Sequence, residues 1–191
     1  MATNPNRRNA RGVWKLKDIQ SFKQDGEYPN GAAIGIFAGG SSPNTNVIDF
    51  IQTASTGNAA DFGDLVTNTN GASVTSNSTR CLISGGYEPG VQYSNRIQYI
   101  TPSTKGNTQD FGNLTAGCGY PAGMSNSTRV IQSNGSENPN LNSEMDTMLF
   151  ASLGNATDFG DLTGPAKYGE AAASNSVRGV VAGGRDPDAS P

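Results

Sequence analysis

Aspartates stand in phase along this chain. Asp61, Asp110 and Asp158 each open the triplet Asp-Phe-Gly, and Asp64 and Asp161 follow three residues after the first and third of them. Two carboxylates at that spacing could offer oxygens to a calcium ion. The second copy, however, has Asn113 at the later position and no other acidic ligand nearby, whereas calcium takes about 6–8 oxygens. The same triplet binds magnesium in phosphoryl-transfer enzymes, but only beside a Gly-rich loop and a catalytic-loop motif that this chain does not carry. The aspartates are therefore read as turn caps that accept hydrogen bonds from nearby backbone amides. Arg80, Arg129 and Arg178 are the only basic residues fixed in the same phase. A ring of guanidinium groups could grip an anion; the structural reading is one arginine per repeat, pairing with carboxylates or carbonyls between neighbours. Glu137, Glu144 and Asp146 include a carboxylate pair of the kind that cleaves glycosides, with nothing to single them out from a solvated acidic surface. The chain has no histidine, which removes Ser-His-Asp and Cys-His catalysis and every imidazole-ligated metal site. No catalytic residue, metal or cofactor is expected.

The elements that hold these residues come from an internal repeat. GNAADFGDL begins at Gly57, GNTQDFGNL at Gly106 and GNATDFGDL at Gly154, spaced 49 and 48 residues apart. SNSTR ends at Arg80 and again at Arg129, and SNSVR at Arg178, spaced 49 and 49. Each arginine precedes an apolar stretch closed by Asn-Gly or Gly-Gly, and AIGIFAGG over residues 33–40 is the same element at the front. One period reads as four strands. The apolar stretch is the first and is expected to be the inner strand, buried on both faces. VIDFIQTAS and its counterparts form the second, and a Gly-Asn turn leads into a short third strand on Asp-Phe. The Gly/Ala segment before each SNS is the fourth. Equivalent first strands are predicted near 33–38, 81–84, 130–133 and 179–182, with no helix inside the repeats. Four short antiparallel strands every 40–50 residues are the signature of a propeller blade. Phe62, Phe111 and Phe159 are expected to fill the same core slot in each copy, and Ile36, Leu82, Ile131 and Val181 to be buried at the first strands. Cys81 aligns with Val130 and reads as core; Cys118 aligns with Thr69 in a loop. Both are expected to be free thiols.

The rest of the composition fits this reading. Of 191 residues, 34% are hydrophobic and 15% charged, and 25 are glycine. This excludes a membrane-spanning or highly charged disordered chain and favours many turns between short strands. No run approaches the roughly 18 apolar residues of a membrane span, so no membrane insertion is expected. The net charge of −3 conceals a split. Residues 1–24 carry Arg7, Arg8, Arg11, Lys15, Lys17 and Lys23 against Asp18 alone, on an otherwise acidic body. Residues 1–30 are therefore taken as a basic N-terminal arm and 31–191 as the repeat domain. Trp14, the only tryptophan, sits between Arg11 and Lys15 as a partner-binding anchor, the alternative being that it folds back as core. Arg7, Arg8, Arg11, Trp14 and Lys15 are the candidate partner-binding residues. The arm lacks the aromatic interleaving of a nucleic-acid binder and the acidic body would repel phosphates, so no nucleic acid is expected.

The Gly-Gly-ended strand resembles the kelch and galactose-oxidase class of β-propeller repeat. The whole unit, with NVIDFIQTASTGN leading into DFGDL, resembles the kelch-like repeats of virion structural proteins of marine bacteriophages, cyanophages especially. The likeness covers residues 31–184, and the GVWKL segment of the arm also resembles the start of such proteins. It implies an all-β fold of kelch-like propeller-type repeats of about 49 residues, three units plus one extra strand, behind a short arm. It also implies a non-enzymatic particle component, located in the virion at a tail, neck, fibre or capsid-surface position. Its partners would be other virion proteins, further copies of itself as a homo-oligomer, and a host-surface glycan. The rival readings are a kelch-type protein-interaction module unrelated to a virus and, last, a carbohydrate-active or oxidase enzyme. Three units fall short of the 4–8 blades of a closed propeller. That leaves a longer natural chain, rings completed by several chains, or an open stack with covered edges.

Overall fold

The computed structural model describes residues 34–135, 143–164 and 168–185. Among them there is no helix, only fifteen strands in several small antiparallel sheets, none closed on itself. The first sheet is β1 (Ile34–Gly40), β2 (Thr45–Gln52) and β3 (Ala60–Asp64). The second contains β4 (Ser73–Ser76) and β5 (Cys81–Ser84); after the small ribbon of β6 (Tyr87–Glu88) and β7 (Gln92–Tyr93) it continues with β8 (Arg96–Ile100) and β9 (Gln109–Asn113). The third repeats the plan with β10 (Ala122–Ser125), β11 (Arg129–Ser133), β12 (Glu144–Leu149) and β13 (Thr157–Asp161). Finally β14 (Tyr168–Ser174) and β15 (Gly179–Arg185) form a two-stranded sheet.

The apolar strands lie where the spacing predicts them, but the sheets are phased differently. The Gly/Ala segment before each SNS is the opening strand of the next sheet: β4 pairs with β5, β10 with β11 and β14 with β15. The hairpin between them is made by the motif's asparagine. Asn77 Oδ1 accepts from Thr79 N at 2.9 Å and Arg80 N at 2.8 Å; Asn126 does the same for Thr128 and Arg129, and Asn175 for Val177 and Arg178. The SNS turn is thus an Asx turn inside a sheet rather than a boundary between units. The apolar strand is consequently second in its sheet, hydrogen-bonded on both sides in sheets two and three. The opening strands of neighbouring sheets run side by side. Ser125 Oγ donates to Ser76 O at 3.2 Å, and Ser174 Oγ donates to Ser125 O at 2.7 Å. Side chains of Ala, Gly and Ser allow that approach; a Cβ on Gly123 would strike Ser73 and Thr75.

The core lies between sheets, not within one. Ile48, Phe62 and Leu65 of the first sheet pack on Cys81, Ile83 and Ile100 of the second. Leu82, Ile97, Phe111 and Leu114 on the other face of the second pack on Val130, Met148, Phe150 and Ala156 of the third. Backbone bonds fasten the same interfaces. Gly106 N donates to Phe62 O and Thr108 N to Asp64 O, both at 2.9 Å, while Asn107 Oδ1 accepts from Asp64 N at 3.0 Å. One repeat later Gly154 N donates to Phe111 O at 2.9 Å, Ala156 N to Asn113 O at 2.8 Å, and Asn155 Oδ1 accepts from Asn113 N at 3.0 Å. The Gly-Asn tip of each hairpin therefore lies on the Asp-Phe-Gly strand of the preceding sheet. The glycine of that triplet is required because a Cβ on Gly63 or Gly112 would collide with the carbonyl of Gly106 or Gly154.

Phe62 and Phe111 are both 3% exposed, as expected, but Phe159 is 44% exposed. Nothing lies within 4 Å of a Cβ built on Gly160, so the residue types recur while the covering tip does not. Leu82 is fully buried, whereas Ile36, Ile131 and Val181 are half-buried. Phe111→Ala should therefore cost about 3–5 kcal/mol and Phe159→Ala less than about 1 kcal/mol. Gly112→Ala should cost about 1–3 kcal/mol more than Gly160→Ala, because only the first meets a backbone carbonyl. Denaturant unfolding of the four variants measures both differences.

Candidate functional site

Arg7, Arg8, Arg11, Trp14 and Lys15 lie outside the described residues, as does Glu137. The in-phase arginines are described, and the first reaches across a sheet interface. The Arg80 guanidinium donates through Nη1 to Phe150 O and lies 5.1 Å from the centre of the Tyr99 ring, a cation–π placement that orients its planar fork. Arg129 and Arg178 are exposed. Of the triplet aspartates, Asp158 caps its own turn by accepting from Gly160 N at 2.8 Å. Among the described residues no three His, Cys, Asp or Glu side chains gather as a metal group.

Two buried acids have structural partners. Asp146 is fully buried, and its carboxylate accepts from Thr115 N at 3.0 Å and Thr115 Oγ1 at 2.7 Å. Gln98, its counterpart one repeat earlier, accepts from Val66 N at 2.9 Å. Both residues sit at the β-bulge of their strand, and the bulge turns a polar side chain onto the amide just beyond the preceding Asp-Phe-Gly strand. Sequence reading placed Asp146 on a solvated acidic surface; the structure makes it part of the fastening between sheets. Glu88, 2% exposed, accepts from Ser94 Oγ at 2.7 Å and pairs with Arg96 Nε at 3.4 Å, which ties down the β6–β7 ribbon.

A further exposed group of side chains surrounds Tyr120. Its φ is +55°, at a position where the other repeats place Gly71 (φ +62°) and Gly169 (φ +69°). A bulky side chain is rarely found in the left-handed region. Tyr120 N donates to Gly71 O at 3.0 Å, and the ring lies so close over Gly71 that a Cβ there would come within 2.6 Å of it. The side chain is nevertheless 46% exposed. Beside it opens a cleft of about 470 Å³ lined by Tyr120, Gly169, Gly184 and Arg185. An aromatic face next to a guanidinium can stack on the C–H face of a sugar and donate to its hydroxyls. The sequence signal for this site is the break in the Gly71, Tyr120, Gly169 series.

Cys81 and Cys118 are both buried, and neither is in a disulfide. Gln132 Nε2 donates to Cys118 Sγ at 3.5 Å. Burial pushes the Cys81 thiol up from 9.0 to about 12.

No family model matches the chain, and no curated protein matches it. Among solved structures the chain is similar to that of YjhT, a β-propeller-like protein, with 12% identity and a TM-score of 0.59 over 73% of this chain and 51% of that one. The chain thus spans about half the length of that structure. At that identity the likeness concerns the fold alone.

Tyr120→Gly should leave stability within about 1 kcal/mol of the parent, because glycine accepts a positive φ, whereas Tyr120→Val should lose about 1–3 kcal/mol. Thermal unfolding distinguishes them. Cys81 holds its proton more tightly folded than unfolded, so its stabilising contribution is complete below pH 9.0 and is lost as pH rises towards about 12. Within that window the parent should lose up to about 1.4 kcal/mol per pH unit more than Cys81→Val, read from denaturant midpoints at pH 8 to 11.

Proposed function

We propose that this chain is a kelch-like, propeller-type repeat protein and a non-enzymatic structural component of a tailed-phage virion. The observation that carries the reading is the use made of the recurrent residues. The triplet glycine and phenylalanine, the Gly-Asn tip, the SNS asparagine and Arg80 all serve turns or contacts between neighbouring sheets. A repeat whose fixed residues are spent on holding its neighbours is suited to building a surface rather than to turning over a substrate. The likeness of its STGN and DFGDL elements to repeats of cyanophage virion proteins supplies the particle. The likeness to a propeller-like structure agrees with the repeat architecture.

In this reading the N-terminal arm is the attachment element. Trp14 is the apolar anchor, Arg7, Arg8, Arg11 and Lys15 lie at the rim, and the partner is an acidic surface of another virion protein. Further copies of the chain and a host-surface glycan are the remaining partners, the glycan being received at the Tyr120 cleft. Deleting residues 1–24 should abolish incorporation into the particle. Binding of the intact chain to its virion partner should weaken with added salt, since exposed charges are screened beyond roughly 8 Å at physiological ionic strength. Quantitative incorporation of the truncated protein, measured on purified particles, would refute the attachment role.

A further inference from the structure

We propose that the loop of the β8–β9 hairpin is a binding site for a small organic oxyanion, a carboxylate or phosphate ester the size of one sugar unit. A cavity of about 250 Å³ lies at this loop, lined by Tyr99, Thr101, Thr104, Lys105, Asn107 and Gln109. That is just below the roughly 300–1,000 Å³ of pockets for drug-sized ligands, which suits a single ring with its substituents. The hairpin belongs to the second sheet, both faces of which are packed.

The lining displays hydrogen-bond donors. Asn107 Oδ1 accepts from Asp64 N at 3.0 Å, and Gln109 Oε1 accepts from the Tyr99 hydroxyl at 2.5 Å. Both amide oxygens are thus engaged inside the protein, while among the described residues neither amide nitrogen has a partner. Lys105 is held by two groups that leave its charge in place. Its Nζ donates to Asp61 O at 3.2 Å and lies 4.5 Å from the centre of the Phe50 ring. An ammonium carries more N–H donors than the one that a single carbonyl takes. Among the described residues the one ion pair joins Arg96 and Glu88, so no described carboxylate neutralises Lys105. Oriented donors beside an unmatched positive charge favour a ligand rich in acceptor oxygens. Holding them before the ligand arrives removes part of the entropy cost of binding. The hydroxyls of Thr101 and Thr104 can meet those of the ligand, and Thr104 N closes the turn that carries them by donating to Thr101 O at 3.0 Å.

The neighbouring copies separate the shape of this site from its chemistry. The third sheet has a cavity of about 230 Å³ at the corresponding loop, with Met148, Leu149, Leu153 and Thr157 in its lining. The hairpin of the repeat makes the cavity. Counted from the tip glycine, Lys105 corresponds to Thr56 and Leu153, and Gln109 to Ala60 and Thr157. The Gly-Asn tip that fastens the sheets recurs in all three copies, but the donors that line the second cavity do not. The inference rests on this hairpin and not on the virion reading or the Tyr120 cleft.

The test titrates the full chain with glucuronate and with glucose 6-phosphate by isothermal titration calorimetry, with glucose and inorganic phosphate as references. At least one of the two acids should bind saturably, and more weakly as salt is added. The acid that binds more tightly tells a carboxylate ligand from a phosphate ester. Glucose and inorganic phosphate should bind about tenfold more weakly than that acid, or less well still. Lys105→Met keeps the apolar stem, and Gln109→Ala gives the position the side chain that the first copy has at Ala60. Each should weaken binding of that acid about tenfold. Both positions are exposed, so the circular dichroism spectrum should be unchanged. Absence of binding by both acids, glucose binding as tightly as either, or affinity indifferent to both substitutions would overturn the proposal. Inorganic phosphate binding as tightly as the better acid would overturn the assignment of a sugar-sized ligand.

Discussion

The contact on which the structure depends is a glycine backbone lying on a glycine backbone. Where the tip of one hairpin crosses the Asp-Phe-Gly strand of the preceding sheet, that strand has no room for a Cβ, and the approach lets peptide groups of the two sheets bond directly. Those bonds matter because the interface also buries a phenylalanine and a leucine from each preceding sheet. Polar backbone at the rim of such a core must find partners or forfeit the energy of burial. The Asn of the tip and the bulge residue of the incoming strand complete the pairing, one capping an amide within the strand and the other the amide just beyond it.

This explains why the motif contains the residue types it does. Aspartate, phenylalanine and glycine adjacent in a line look like chemistry when read as a string. In the fold they face different ways. In the first two copies the phenylalanine enters the core and the glycine receives the next tip, while the aspartate stays at the surface in all three, where Asp158 bends back to its own turn. Periodic sequence identity is here a record of one interface repeated, with sheet and neighbour alternating as donor and acceptor.

Much of the fold was legible in the sequence because its signals are local: apolar runs before Gly-Gly, Gly-Asn turns, and motifs in step at 49 residues. Two features were not. The SNS element was read as the end of a unit because its polarity marks a turn, yet whether a turn joins strands of one sheet or links two depends on pairing partners far away in sequence. Phe159 was expected to match Phe62 and Phe111 because it is the same residue in the same motif. Its burial is decided by whether another hairpin tip lies over it, and no local pattern reports that. At the candidate site the reverse holds. Tyr120 stood visibly in a column of glycines, and only the left-handed backbone at all three positions gives the substitution its meaning.

Among the described residues each hydrophobic cluster spans two adjacent sheets and no more. A chain fastened only to its nearest neighbours has no central core whose loss brings everything down at once. Its cooperativity is that of a row, where a sheet with two neighbours is held more firmly than one at an end. Under thermal or chemical stress the sheets held on both sides, the second and the third, should keep their amide protons longest.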